Sequence, residues 1–154
     1  MKLNDIKKAV LVWGPISEEG ILRIRQSGWL VVVAENRPFM VGLLHNCPLL
    51  KKKNIQFVYC TDNALGLLFQ QNRIYKTIIF CKNQTKDGVF ALTGSLQVAL
   101  LSKLHNVKIE VAAAAQFQSE ANVSTLGGKR FILNASKDDM VEAQDEFIEE
   151  EILK

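Results

Sequence analysis

The chain has 154 residues, of which 48% are hydrophobic and 23% are charged. These values are ordinary for one globular domain, and no run approaches the roughly 20 apolar residues that a membrane-spanning helix needs. The net charge of +3 is unevenly distributed, because residues 1–136 carry 17 Lys and Arg against 8 Asp and Glu, whereas residues 137–154 carry 2 against 8. The sequence therefore combines a basic body with an acidic tail.

The basic charge of residues 1–136 does not by itself indicate a nucleic-acid partner. Its Lys and Arg residues are not interleaved with aromatic residues, and no DNA-binding signature is present, so we expect no direct binding of nucleic acid. We also expect no membrane partner. The first eight residues lack the apolar segment of a secretory signal, which indicates a cytoplasmic protein.

The residues that usually hold cofactors do not form a recognisable set. The cysteines are odd in number and not closely paired, which is typical of reduced core thiols. They are Cys47, Cys60 and Cys81. His45 and His105 fall within and at the end of predicted helices, and no group of His, Cys and carboxylates has metal-ligand spacing. We therefore expect no metal and no other cofactor.

Short apolar runs alternate with helical patterns along most of the chain. The apolar runs predict strands over residues 8–13, 29–34, 55–60, 75–81 and 107–112. Helices are predicted from Ser17 to Gly28, over residues 39–50, and after the segments Thr61-Asp62-Asn63 and Thr93-Gly94-Ser95. Because parallel neighbours require right-handed crossovers, this alternation predicts an α/β fold, a doubly wound and mostly parallel Rossmann-like sheet with helices on both faces.

The remaining segments complete the predicted domain organisation. We predict a polar loop over residues 82–90, an irregular region over 112–128 and an edge strand over 130–133. Gly66 lies inside a predicted helix and suggests close approach by another backbone. We predict one Rossmann-like domain over residues 1–136 and a C-terminal acidic helix over 137–154, packed on that domain through an apolar stripe.

Polar residues follow the predicted strands at the edge where open parallel sheets bind ligands. The candidate ligand-binding residues are Arg37, Asp62, Asn63, Asn83, Gly94 and Ser95. Arg37 could hold a phosphate, Asp62 a sugar hydroxyl or a backbone group, and Ser95 at its helix N-terminus a second anion. Each residue also has a local explanation: Arg37 could pair with Glu35, Asp62 could cap its helix, and Gly94 and Ser95 could simply mark the start of a helix.

Sequence motifs for several enzyme classes are missing. The turn Trp13-Gly14-Pro15 has a single glycine, whereas a dinucleotide-binding turn has three. The sequence contains no Gly-x-x-x-x-Gly-Lys-Ser/Thr loop for a nucleoside triphosphate and no Gly-x-Ser-x-Gly nucleophile elbow.

Several segments together carry a family likeness. They are Glu35-Asn36-Arg37-Pro38, Thr61-Asp62-Asn63-Ala64-Leu65-Gly66, Asp87-Gly88, Thr93-Gly94-Ser95 and residues 107–113. In this order and spacing they resemble the C-terminal domain of the translation initiation factor 2B regulatory-subunit and methylthioribose-1-phosphate isomerase family. The resemblance implies a Rossmann-like fold and a homo-oligomer, namely a dimer.

The positions of the catalytic residues differ from those of the isomerases that the chain resembles. Trp13-Gly14-Pro15 stands where those isomerases place a catalytic Cys, Asn83 where they have an Asp, and Leu92 where they have a Lys. Val41 replaces a substrate-contacting Gln. Without the thiol, the carboxylate and the lysine, proton transfer between sugar carbons has neither acid nor base.

Three functions follow from this comparison. The first is a non-catalytic domain that binds a phosphate, a sugar phosphate or a nucleotide, mediates subunit assembly, or does both. The second is a sugar-phosphate isomerase with a rearranged site, in which Asp62 or Glu35 is the base. The third is a pure interaction protein whose acidic helix docks on the basic body of a partner subunit.

Overall fold

The computed structural model describes residues 6–117 and 151–153. The strands are β1 (Ala9–Trp13), β2 (Leu30–Ala34), β3 (Phe57–Cys60), β4 (Ile74–Gln84), β5 (Val89–Ala91), β6 (Lys108–Ala113) and β7 (Glu151–Leu153). The helices are α1 (Glu18–Ser27), α2 (Cys47–Lys52), α3 (Leu65–Gln70) and α4 (Ser95–Leu104). A π-helical segment, Gly42–Asn46, leads into α2, and a 3₁₀ turn, Asp62–Ala64, leads into α3.

The sheet is built around five parallel strands in the order β3-β2-β1-β4-β6. Strand β1 lies at the centre with every residue buried, as its continuous apolar run predicts. One buried cluster lies on the side of α1 and α2, and the other on the side of α3 and α4. The predicted α/β fold, a mostly parallel Rossmann-like sheet with helices on both faces, is confirmed. None of the helices in the described part of the chain is long and apolar enough to cross a membrane.

Helix α1 illustrates how local sequence sets the element boundaries. The Ser17 hydroxyl accepts a hydrogen bond from the Gly20 amide at 3.2 Å, which satisfies one free donor of the first turn. At the other end, Gly28 takes a left-handed conformation with φ of 65°, and its N–H donates to the Arg25 carbonyl. Both ends agree with the sequence prediction.

The segment predicted as a polar loop over residues 82–90 is largely a β-hairpin, so that prediction is wrong. Strand β4 continues to Gln84, and β5 returns antiparallel to it, pairing Asn83 with Phe90. The turn is closed by the Thr85 amide, which donates to the Gly88 carbonyl at 2.8 Å. Its polar side chains are solvent-exposed, so the apolar alternation that identifies a strand is missing here.

The helix predicted over residues 39–50 begins later and is not uniform. Pro48 has no backbone N–H to donate to the carbonyl four residues earlier, so a regular α-helix cannot run through this position unbroken. The chain instead forms the π-helical segment, in which the Cys47 N–H donates to the Gly42 carbonyl, and α2 then begins with Pro48 in its first turn. This arrangement buries the Asn46 side chain completely.

Two further predictions are corrected. A Cβ added at Gly66 would meet nothing within 4 Å, so no other backbone approaches this glycine. Residues 151–153, predicted as part of the acidic helix, form β7, which pairs antiparallel with β5. The rest of that predicted helix and the predicted edge strand over residues 130–133 lie outside the described residues.

Replacing Glu110 with glutamine is expected to reduce stability at neutral pH by about 0.5–1 kcal/mol. Glu110 accepts a hydrogen bond from Lys76 of the neighbouring strand at 3.1 Å and forms an ion pair with Lys108 at the same distance. Burial raises the pKa of Glu110, but these lysines outweigh burial and lower it overall. A lowered pKa stabilises the fold above the ordinary Glu value of about 4.3, and this contribution is lost as the pH falls.

Urea unfolding at pH 7 and pH 3 measures this difference. The stability gap between the wild type and Glu110→Gln should be smaller at pH 3 than at pH 7. A gap of the same size at both pH values would contradict the ion-pair explanation.

Candidate functional site

The strand order reverses between β1 and β4, which leaves a crevice beyond the carboxyl ends of these strands. A cleft at this place has an empty space of about 450 Å³, including its opening to solvent. Its walls are mostly apolar, with one cationic residue, Lys82. The lining residues are Pro15, Phe39, Phe80, Lys82, Leu92, Ala114, Ala115 and Phe117. A cleft at a topological switch point is the usual ligand site of a doubly wound sheet.

The loop after β1 forms one wall of the cleft and is held by two buried asparagines. The Asn36 Oδ1 atom accepts a hydrogen bond from the Gly14 amide at 2.9 Å. Asn46 forms two hydrogen bonds with the same loop, because its Nδ2 donates to the Gly14 carbonyl and its Oδ1 accepts from the Ile16 amide, each at 3.0 Å. Asn46 is not among the site residues that the sequence predicts. The only signal for it was an amide residue within an otherwise apolar helical pattern.

The Asp62 side chain stabilises the turn that follows β2. Its two carboxylate oxygens accept hydrogen bonds from the Asn36 amide at 2.9 Å and from the Arg37 amide at 2.8 Å. Burial raises the pKa of Asp62, and the two backbone hydrogen bonds partly offset this. Both carboxylate oxygens are thus engaged by the turn after β2 and not by the start of the helix that Asp62 precedes.

Arg37 pairs with Glu35 within the same turn. Its Nε donates to a Glu35 carboxylate oxygen at 3.1 Å, and this hydrogen bond with its accompanying charge raises the pKa of Arg37. The Arg37 side chain is half exposed, whereas that of Glu35 is nearly buried. The structure therefore contains the local ion pair between Arg37 and Glu35.

Gly94 and Ser95 begin helix α4 but do not present free groups to the cleft. Gly94 is left-handed with φ of 91°, and a Cβ added there would overlap the Trp13 ring, so glycine is needed for close packing. Ser95 is fully buried, and both its amide and its hydroxyl donate to the Leu92 carbonyl. Its predicted role as an anion ligand is not supported, because both of its donors are already used.

The six predicted site residues are therefore not assembled around one ligand. Asp62 is hydrogen-bonded to the turn that contains Arg37, and Gly94 and Ser95 lie together at the start of α4. Asn63 is exposed within the 3₁₀ turn, and Asn83 is exposed on the hairpin. None of the six lines the cleft. Parallel strands bring their carboxyl ends to one edge of the sheet, but the direction of each side chain is set by the backbone conformation of its own loop. Residues at the same edge therefore need not face the same site.

Three buried polar atoms around the switch point have no hydrogen-bond partner among the described residues. They are Trp13 Nε1, Asn36 Nδ2 and Thr93 Oγ1. Asn36 is hydrogen-bonded to Gly14, next to Trp13, and the Trp13 ring packs on Gly94, next to Thr93. A buried polar group without a partner costs about 1–3 kcal/mol, and such groups require an explanation when they cluster. Two of these three are N–H donors, and none of the three residues lines the cleft.

Comparison with known proteins relates the chain to two named groups. The model of the initiation factor 2 subunit family matches residues 19–154. A protein of Archaeoglobus fulgidus, assigned provisionally as a methylthioribose-1-phosphate isomerase, is 30% identical over 113 residues, covering 71% of this chain and 33% of that protein. The chain thus spans about a third of the length of this relative.

Two solved structures share the fold. The delta subunit of translation initiation factor eIF-2B from A. fulgidus superposes with a TM-score of 0.66 at 20% identity, covering 81% of this chain and 44% of that chain. The 5-methylthioribose 1-phosphate isomerase from Pyrococcus horikoshii OT3 superposes with a TM-score of 0.64 at 15% identity, covering 84% and 44%. At these identities the superpositions establish the fold alone.

The family match covers most of the chain and confirms the resemblance seen in the strand-end segments. The chain belongs to the initiation factor 2 subunit family; it is similar in sequence to a protein assigned as a methylthioribose-1-phosphate isomerase and shares its fold with an eIF-2B subunit.

Proposed function

We propose that this domain is a non-catalytic binding module that takes a small phosphorylated molecule, a sugar phosphate or a nucleotide, in the cleft between β1 and β4. The observation that carries the proposal is the cleft itself, which lies where the strand order reverses and is lined by aromatic rings and Lys82. Thr93, whose buried hydroxyl has no partner among the described residues, follows the lining residue Leu92, and a ligand that shifts this turn would pair that hydroxyl.

The lining of the cleft fits the same class of ligand. Lys82 supplies positive charge at the cleft, and charge-assisted hydrogen bonds to phosphate oxygens are stronger than neutral ones. Phe39 and Phe117 supply apolar surface of the kind that packs against a sugar ring or a base.

The proposal that the domain is non-catalytic is supported by the nearby titratable side chains, because the carboxylates already have hydrogen-bond partners within the protein. The Asp62 carboxylate is committed to two backbone amides, and Glu35 is committed to Arg37. Burial raises the pKa of the Cys81 thiol, which disfavours a nucleophilic thiolate. The resemblance adds that Asn83 and Leu92 replace the carboxylate and the lysine of the isomerases.

Replacing Thr93 with valine separates ligand binding from folding. Valine keeps the shape of threonine but removes the buried hydroxyl, which has no partner in the protein. We expect the free protein to be as stable as the wild type or more stable, and its affinity for ligand to fall about tenfold. Isothermal calorimetry with inorganic phosphate, ribose 5-phosphate and AMP measures the affinity, and thermal unfolding measures the stability.

Thr77→Val is the matched control. The Thr77 hydroxyl is fully buried and hydrogen-bonded to Ser102 Oγ at 2.9 Å, so this variant should lose about 1–3 kcal/mol of stability. The proposal fails if none of the three compounds binds the wild-type protein. It also fails if Thr93→Val binds them as tightly as the wild type does.

A further inference from the structure

The edge of the sheet opposite the cleft carries a surface cluster of two aromatic rings and a lysine. The rings of Trp29 and Tyr75 stack with centroids 4.8 Å apart and an interplanar angle of 26°. The Lys8 Nζ atom lies 5.8 Å from the Trp29 centroid and 5.4 Å from the Tyr75 centroid. We call these three residues the aromatic platform. Tyr75 is 52% exposed, so a large part of its ring faces solvent.

Strand adjacency assembles the platform. Ala9 of β1 pairs with Leu30 of β2 and with Ile74 of β4. The three platform residues are each next in sequence to one of these paired residues, so the parallel register brings them together at the amino edge. Trp29 and Tyr75 are far apart in the sequence, which explains why the pattern of basic and aromatic residues is not visible there.

The charge around the platform is positive. The described turns that lead into the parallel strands, residues 6–8, 28–29, 53–56, 71–73 and 105–107, contain no Asp or Glu. Their Lys and Arg residues are Lys7, Lys8, Lys53 and Arg73. Lys53 forms an ion pair with Glu18, and Arg73 donates to the Ile6 carbonyl. Lys7 and Lys8 are both exposed and precede a strand, so no helix C-terminus accounts for their charge.

We propose that the aromatic platform binds single-stranded nucleic acid. A base stacks on the exposed part of the Tyr75 ring, and Lys7 and Lys8 contact the adjoining phosphates. Single-stranded nucleic acid combines the two chemistries that this edge offers, a π-face for stacking and a phosphate for the cations. An acidic peptide would engage the lysines but would gain nothing from the exposed ring, so the platform favours the nucleic acid. The site does not depend on the ligand proposed for the cleft.

Fluorescence anisotropy with a labelled 15-nucleotide oligouridylate, at 50 mM and 200 mM salt, tests the proposal. Tyr75→Ala should weaken binding by about five- to a hundredfold, the range that one stacked base contributes, whereas Tyr75→Phe should keep most of the affinity. Lys8→Glu should also weaken binding and should lower the dependence of affinity on salt, because a phosphate contact is lost. Circular dichroism establishes that each variant is folded.

Lys86→Glu is the matched control, since Lys86 is exposed on the hairpin turn at the opposite edge of the sheet. The proposal is overturned if the wild type does not bind the oligonucleotide at 50 mM salt. It is also overturned if Lys86→Glu weakens binding as much as Lys8→Glu, or if Tyr75→Ala has no effect. Binding of an oligoglutamate of equal charge with the same affinity would likewise overturn it, because that would make the surface a general anion site.

Discussion

Replacing Gly42 with alanine is expected to destabilise the domain by about 3 kcal/mol or more. Gly42 lies at the start of the π-helical segment, and its N–H donates to the Glu35 carbonyl at 3.0 Å. A Cβ at this position would overlap the Ala34 carbonyl oxygen and would lie 2.8 Å from the Ala34 carbonyl carbon. Both atoms belong to the end of a central strand, which cannot move without breaking its ladder to β1 and β3.

The measurement for Gly42→Ala is chemical denaturation together with a thermal melt. A loss of 3 kcal/mol in a chain of this size corresponds to a fall of about 6–12 °C in Tm. Because the π-helical segment carries Asn46, the same variant should also loosen the loop after β1 and weaken ligand binding in the cleft.

Gly66→Ala is the matched control for Gly42→Ala. Gly66 is exposed within α3, and an added Cβ meets nothing within 4 Å, so alanine should stabilise the helix by about 0.5–1 kcal/mol. Opposite signs for the two glycines are therefore expected. Equal effects at both positions would contradict the close packing of Gly42 against β2.

Removing the Asn46 side chain has the second-largest expected effect, a loss of about 2–5 kcal/mol in Asn46→Ala. Asn46 is fully buried and is the hydrogen-bond partner of both the Gly14 carbonyl and the Ile16 amide. Alanine would leave one buried acceptor and one buried donor unpaired, and each of them carries its own desolvation cost. Urea unfolding measures the loss.

Asn46→Asp tests whether the amide itself is required. A carboxylate could still accept from the Ile16 amide, but it would place a second oxygen against the Gly14 carbonyl, so aspartate should not restore stability. Asn63→Ala, at an exposed position, should change stability by less than about 0.5 kcal/mol. A loss below 1 kcal/mol in Asn46→Ala would show that the two hydrogen bonds do not hold the loop.

The sequence alone determined the elements and the fold class because the forces that set them act locally. Burial on both faces makes β1 a continuous apolar run, and Ser17 and Gly28 mark the two ends of α1 through hydrogen bonds within a few residues. The alternation of such strands and helices leaves few topologies once right-handed crossovers are required. The hairpin escaped prediction because its exposed residues carry no apolar period.

The roles of the site residues depend on which strands are neighbours, and only the tertiary structure decided them. The sequence indicated that the Asp62 carboxylate would accept hydrogen bonds, but the adjacency of β2 and β3 determines that it accepts them from Asn36 and Arg37. The same holds for Asn46, whose partners belong to a loop about thirty residues earlier.

The cleft and the aromatic platform likewise arise from strand order. Strand β1 lies between β2 and β4. At the carboxyl end of β1, Trp13 packs against Gly94. At its amino end, Lys8 lies near the rings of Trp29 and Tyr75. Local sequence fixes the conformation of each of these segments. Their proximity comes from long-range strand pairing, which is why the sequence specified the scaffold and the fold specified its binding surfaces.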